Sequence, residues 1–308
     1  PLRRACTFAA LLTVAGLGSM GRAQEYRPSF RPDRLTDRPA GRPNQVLVLG
    51  SPHLSTLPAS FRPEMVAPLL ARLVAWQPTA VASEDIFGLG CDAMRRQRAR
   101  MADAVEAYCY DPSMAARATG LDVPAAYAEA EHMLANWPAA PSPAQRRRLA
   151  IVFLAAGEPA SATVQWFRLP PAERRADGQL TEPLARDLTE RLSRRSETEL
   201  VAARLAAQAG LERVWSVDDQ SFVSAAMDDK DYGPAIERAW DNPATHARSV
   251  ADKRLYAEIG QADGLLDLYR AFNAPAFAAQ KYRADWGAAL TEPLSLIHIS
   301  EPTRPLYI

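Results

Sequence analysis

Lysine is nearly missing from this chain: among 36 Lys and Arg residues, only Lys230, Lys253 and Lys281 are lysine. The same number of acidic residues balances them, so no excess positive charge marks out a nucleic-acid surface. With abundant Ala and Pro, the arginine bias reads as GC-rich codon usage. The densest basic run, Arg146-Arg147-Arg148, is expected to be a solvated helix face. Histidine is scarce too, with His53, His132, His246 and His298 the only four. Cys6, Cys91 and Cys109 are the only cysteines, and the Cys91–Cys109 spacing fits no two-pair zinc motif. The first apolar run is followed by GSPHLS, which lacks the glycines of a dinucleotide or phosphate loop. No serine sits in a G-x-S-x-G turn, so a serine nucleophile of the α/β-hydrolase kind has no motif.

Long apolar runs are also few. One lies at the start, where Arg3 and Arg4 precede ACTFAALLTVAGLGSM and then Gly21-Arg22-Ala23. A basic start, a short apolar stretch and a small-x-small site are the layout of a secretory signal peptide, expected over residues 1–23. The stretch is too short and glycine-rich for a stable span, which leaves a periplasmic or secreted protein. The chain opens on Pro1 rather than Met, so a start further upstream is expected. Residues 24–44, with Pro at 28, 32, 39 and 43, read as a solvated linker. In an exported protein, Cys91 and Cys109 can pair as a disulfide. At the other end, residues 294–304 read LSLIHISEPTR. One frame of a common transposase-based sequencing-library adaptor encodes those residues. Residues 294–308, His298 among them, are therefore expected to be adaptor read-through and the native chain to be C-terminally truncated.

Residues 45–293 remain, enough for one large domain. Three short apolar runs, 45–49 (QVLVL), 79–83 (TAVAS) and 213–217 (RVWSV), read as buried parallel strands. Apolar spacing predicts a helix over 63–76, restricted by Pro68 and stopped at Gln77-Pro78. That makes 45–84 a strand–helix–strand unit. Helices are expected at 93–108, 123–136, 143–156 and 180–194, then from a Ser196/Glu199 capping box to Gly210, and again at 233–240, 250–259, 262–272 and 275–289. The fold class is α/β: a small, mostly parallel sheet flanked by helices, with a large helical insertion at about 93–195.

In open parallel sheets, ligands bind beyond the carboxyl ends of the strands. Here those ends deliver Gly50-Ser51-Pro52-His53, then Glu84 and Asp85, then Asp218 and Asp219. An imidazole and carboxylates on one rim can hold a divalent metal or activate a water. The candidate site is His53, Glu84 and Asp218, as catalytic groups and as metal ligands, with Asp85 and Asp219 read as caps or solvent-facing. His132 is expected on a helix surface, and His246 has no assigned role.

These residues resemble a known group. VLVLGSPH, a helix ending WQPT, a strand VASE and a later VWSVDD look like an exported family of unknown function. That family lies in the superfamily of TraB/PrgY, GumN, the TIKI proteases, erythromycin esterase and the haem-binding ChaN. The resemblance covers roughly 45–90 and 197–220. It implies that His53 is the histidine of a Gly-x-x-His motif, with Glu84 and Asp218 as the acids of later strands. It implies a hydrolase of peptides or esters that uses a divalent metal (Mn, Co or Zn) or an activated water. Alternatives are a binding protein for haem or another small ligand with His53 as its anchor, and a non-catalytic interaction protein. Fold alone does not choose among them. Two departures stand out. The second Gly-x-x-His of such proteins is missing, so this chain is expected to lack part of its site and to be inactive as truncated, and Ser51-Pro52 replaces a Thr or Ser followed by a bulky residue.

Overall fold

The computed structural model describes residues 40–220 and 229–286. The expected signal peptide, most of the linker, and everything from 287 on, His298 included, lie outside the described residues.

After an extended segment, Leu54–Thr56 and Pro63–Val66 form single 3-10 turns, and helix α1 follows at Ala67–Ala75. Pro68 sits in the first turn of α1, where its missing N–H costs nothing. Gln77 turns the chain out at φ 57° ahead of Pro78. Strand β1 is Ala82–Ile86. Helices α2 (Gly88–Arg96), α3 (Arg98–Tyr108), α4 (Ser113–Thr119), α5 (Val123–Ala135), α6 (Pro143–Ala155), α7 (Pro159–Phe167) and α8 (Glu182–Arg191) make the helical insertion. A π-helical turn, Thr198–Ala203, runs into α9 (Arg204–Gln208) and then strand β2 (Trp215–Asp218). After residue 228 come α10 (Asp229–Trp240), α11 (Pro243–Ala257), α12 (Gly264–Phe272), α13 (Pro275–Lys281) and a π turn, Tyr282–Trp286. The molecule is α/β: mostly helical, with a small parallel sheet.

The sheet departs from expectation in three ways. Among the described residues it has two strands, β1 and β2, which pair in parallel with Ala82 opposite Trp215 and Ile86 opposite Asp218. The run 45–49 joins no ladder, and Val46, Leu47 and Val48 are exposed. β-branched residues form a strand only where a neighbour offers hydrogen bonds and cover. Here the space beside β1 is a cavity. The strands also sit further along the chain than expected, so Glu84 and Asp85 lie within β1 instead of beyond its end. Finally, the sheet is bare on one side, with Trp215 and Val217 exposed. Its other face packs on the helices through half-buried Ser83, Asp85, Ser216 and Asp218.

Two apolar cores carry the fold. One joins Leu54, Phe61 and α1 to α9, Val214 and α12. The other lies inside the insertion, around Phe153, Trp166 and Leu188. The central helix α7 is buried all round, Ser161, Thr163 and Gln165 included. Each of these polar groups has a partner: Ser161 Oγ donates to the Val214 carbonyl at 2.9 Å, and Gln165 Nε2 donates to Glu212. A helix without a polar face leaves no amphipathic stripe, which is why the pattern does not reveal it. The expected helix 93–108 is broken at Gln97 into α2 and α3. Cys91 and Cys109 form a disulfide with Cα atoms 5.7 Å apart, clamping the pair beside Met94 and Met101.

The arginine run is a correction. Arg146 and Arg147 are buried, at 6% and 5% exposure. Arg146 donates to Gln165 and Glu212, and Arg147 forks onto Asp177 and Glu173. Two guanidiniums enter this core because carboxylates from three other segments meet them there. Close backbone packing fixes the start of α2: a Cβ on Gly88 would stand 1.8 Å from the Ala156 carbonyl oxygen. Gly157, at φ 77°, closes α6 on the other side of that contact.

Candidate functional site

A cavity of about 580 Å3 lies between the extended segment 47–51, strand β1 and the turn that leads into α9. Its walls are apolar, formed by side chains such as Leu73, Trp76, Val201 and Leu205. Its polar groups are few: Ser51, His53, Ser83, Glu84, Glu197, Thr198 and Tyr269.

His53 owes its position to the residues on either side. Leu54 is fully buried in the first core, so the chain must dive inward immediately after the imidazole. It does so with His53 at φ 57°, a value that only glycine adopts freely. The His53 carbonyl accepts from the Thr56 N–H and hydroxyl, both at 2.9 Å. On the other side, Gly50 is held by Asn273, the residue that caps the C-terminal end of α12. Its N–H donates to Asn273 Oδ1 at 2.7 Å, and its carbonyl accepts from Asn273 Nδ2 at 2.9 Å. The His53 side chain itself is 75% exposed.

Glu197, just before the π turn, organises this loop. Its Oε1 accepts from the Ser51 hydroxyl at 2.7 Å and from the Leu54 N–H at 2.8 Å, and it stands 3.9 Å from His53 Nδ1. Ser51 has one proton and gives it to Glu197, so the Tyr269 hydroxyl, 3.0 Å away, must be the donor to Ser51. The result is a directed chain from Tyr269 through Ser51 to Glu197. Burial pushes the Tyr269 phenol up to about 12, with the Glu197 charge adding to the rise and the Ser51 hydrogen bond opposing it. Tyr269 is therefore a proton donor at any physiological pH. Neither Glu197 nor Tyr269 stood out in the sequence. The capping pair Ser196/Glu199 marked a helix start there, but nothing in the pattern tied Glu197 to residues 51–54.

The expected site residues fall as follows. His53 and Glu84 line the same cavity. Glu84 lies at an irregularity in β1 between Ser83 and Ile86, with its side chain exposed. Asp218 ends β2 and accepts from Gln220 Nε2 at 2.8 Å, and it is not on the cavity wall. Asp85 faces the helices and accepts from the hydroxyls of Ser83 and Thr198. Beside it, Glu158 is 2% exposed. Glu158 takes the Gly88 N–H at 2.8 Å and the Ser216 hydroxyl at 2.9 Å, and burial holds its carboxyl above the ordinary range. Among the described residues, no group of three or more His, Cys, Asp and Glu side chains is arranged to hold a metal. His132 is exposed on α5, as expected. His246 is exposed and pairs with Asp241 at 2.9 Å.

No protein-family model, curated protein or solved structure matches the chain. The chemistry of the cavity therefore carries the functional argument. Among the described residues, no helix is long and apolar enough to cross a membrane.

Proposed function

We propose that the cavity is the active site of an exported hydrolase that activates water against an ester or peptide bond. One observation carries the reading: His53 and Glu84, on separate segments, line one largely apolar cavity, with His53 on a strained backbone that Leu54, Thr56, Glu197 and Asn273 hold in place. Strain kept at such a position is a feature of functional loops. The His53 imidazole takes a proton from water, and the Glu197 carboxylate stands 3.9 Å from its Nδ1. Glu84, on the β1 wall, holds the attacking water. The apolar walls beside them give the non-reacting part of a substrate a surface to rest on. Asp218 stands off the wall that His53 and Glu84 share, so it takes no part in this step. The leader-like residues 1–23 and the Cys91–Cys109 disulfide both suit an oxidising compartment outside the cytoplasm.

The test is turnover of a panel of nitrophenyl esters and short peptides by the chain, with and without Mn2+, Co2+ and Zn2+. Because His53 and Glu84 line one cavity in this chain, hydrolysis is expected here, against the expectation from the resemblance, with a loss of about a hundredfold or more in His53→Ala. No turnover of any substrate, with or without metal, overturns the reading.

A further inference from the structure

The charge distribution around the cavity is one-sided. The chain as a whole carries as many basic as acidic residues, 36 of each. Yet among the described residues the cavity is lined by Glu84 and Glu197, with His53 as its only basic side chain and no Lys or Arg. Arginines lie close along the chain and are turned elsewhere. Arg195 donates to the carbonyls of Leu57 and Pro58, and Arg204 donates to those of Leu192 and Pro63. Arg213 stacks on the Trp215 ring at 3.8 Å. A bound carboxylate or phosphate would therefore meet two carboxylates and no fixed cation. Trp76 on the wall adds an aromatic face, the side chain that attracts cations best. The remaining walls are mostly aliphatic, with the hydroxyls of Ser51, Ser83, Thr198 and Tyr269 among them, and about 580 Å3 suits one drug-sized molecule.

We infer that the cavity takes a ligand with an apolar body and a protonated amine. Resting on the hydrolase reading above, this makes the substrate an amine-bearing apolar ester or amide. The ammonium group lies toward Glu84 and Trp76, because the Glu197 oxygen nearest His53 is already occupied by Ser51 and the Leu54 N–H. The apolar body fills the space between Leu73 and Leu205.

The experiment is a calorimetric titration of the chain at pH 7 with three probes of one shape: phenylbutylamine, phenylbutanol and phenylbutyrate. The amine is expected to bind about tenfold or more tightly than the carboxylate, a preference that added salt narrows. Glu84→Gln, at an exposed position, is expected to weaken amine binding severalfold and alcohol binding much less, a difference read by calorimetry because Glu84 also serves the proposed hydrolysis. Equal affinities, tighter binding of the carboxylate, or no binding of any probe overturns the inference. The two readings fail separately. Amine binding without ester turnover sinks the hydrolase and keeps the ligand class. Turnover with no preference between matched cationic and anionic esters does the reverse.

Discussion

The side-chain amide of Asn273 pairs with both backbone polar groups of Gly50, at 2.7 and 2.9 Å. The amide does what a neighbouring strand would otherwise do, so an extended segment that joins no ladder is fixed at its last residue. Because α12 also carries Tyr269, the same helix grips Gly50 and, through Ser51, the Glu197 end of the loop. The His53 loop is thus held from the C-terminal helices.

That tether gives the first prediction. Asn273→Ala removes both bonds, and at about 1 kcal/mol each it should lower stability by roughly 1–2 kcal/mol in urea unfolding. It should also release 47–51, so faster hydrogen exchange at Leu49 to Ser51 is expected. Unchanged exchange there would mean the segment is held by other contacts.

A second prediction follows from the buried arginines. Arg147 is 5% exposed and forks onto Asp177 and Glu173. Arg147→Ala removes charge-assisted bonds to Asp177 and Glu173, acids that stay a third to a half exposed, and should cost about 2–3 kcal/mol. Arg148, half-buried next in sequence, makes a longer 3.7 Å pair with Glu129. Its replacement by Ala should cost under about 1 kcal/mol. Urea midpoints of the two variants decide it, and equal losses would restore the solvated-face reading of the whole run.

Much of this architecture is readable from residues alone. Ser142, Pro143 and Gly157 bound α6 as capping rules require, and α5, α8 and α12 follow their apolar spacing. What the pattern misses has physical causes. Helix α7 is buried on all sides and shows no stripe. The run 45–49 has strand composition, but no partner strand lies beside it among the described residues. Arg146 and Arg147 are polar by type and are buried because Glu212, Glu173 and Asp177, all distant in sequence, meet them in the fold. The site divides in the same way. His53 and Glu84 are marked by the apolar runs before them, a local signal, although 45–49 is no strand and Glu84 lies within β1. Glu197 and Tyr269 reach the loop across 143 residues or more, and no local pattern encodes that.

The Cys91–Cys109 disulfide closes a loop of 18 residues. By chain entropy a loop of that size contributes about 3 kcal/mol. Reduction, or the double change to serine, should lower the urea midpoint accordingly, with the loss confined at first to α2 and α3. Hydrogen exchange under reducing conditions would show it. Uniform loss of protection would mean that the two helices unfold only with the rest.

Glu158 sets a pH dependence. Its carboxyl is raised in the folded state, first by burial. The folded chain therefore binds the proton more tightly than the unfolded chain. The stability this contributes is fully present below the unfolded value and is lost as pH rises through the folded one. Glu158→Gln keeps an acceptor for Gly88 and Ser216 without the charge. Its stability relative to the parent should therefore improve from pH 4 to pH 7. Urea unfolding across that range checks it, and a constant difference would show that Glu158 titrates in the fold as it does in the unfolded chain.

The strain at His53 separates stability from function. Any residue with a Cβ is disfavoured at φ 57° by roughly 1–2 kcal/mol, and glycine is not. The imidazole is 75% exposed and contributes little packing. His53→Ala keeps the backbone strain and loses the ring; His53→Gly loses both. The two variants should be equally inactive in ester hydrolysis, yet the glycine form should be the more stable by about 1 kcal/mol, after its greater freedom in the unfolded chain is set against the strain released. It should match or exceed the parent in thermal midpoint. If alanine and glycine unfold together, the loop is not strained at this residue. If the glycine form retains turnover, His53 is not the base.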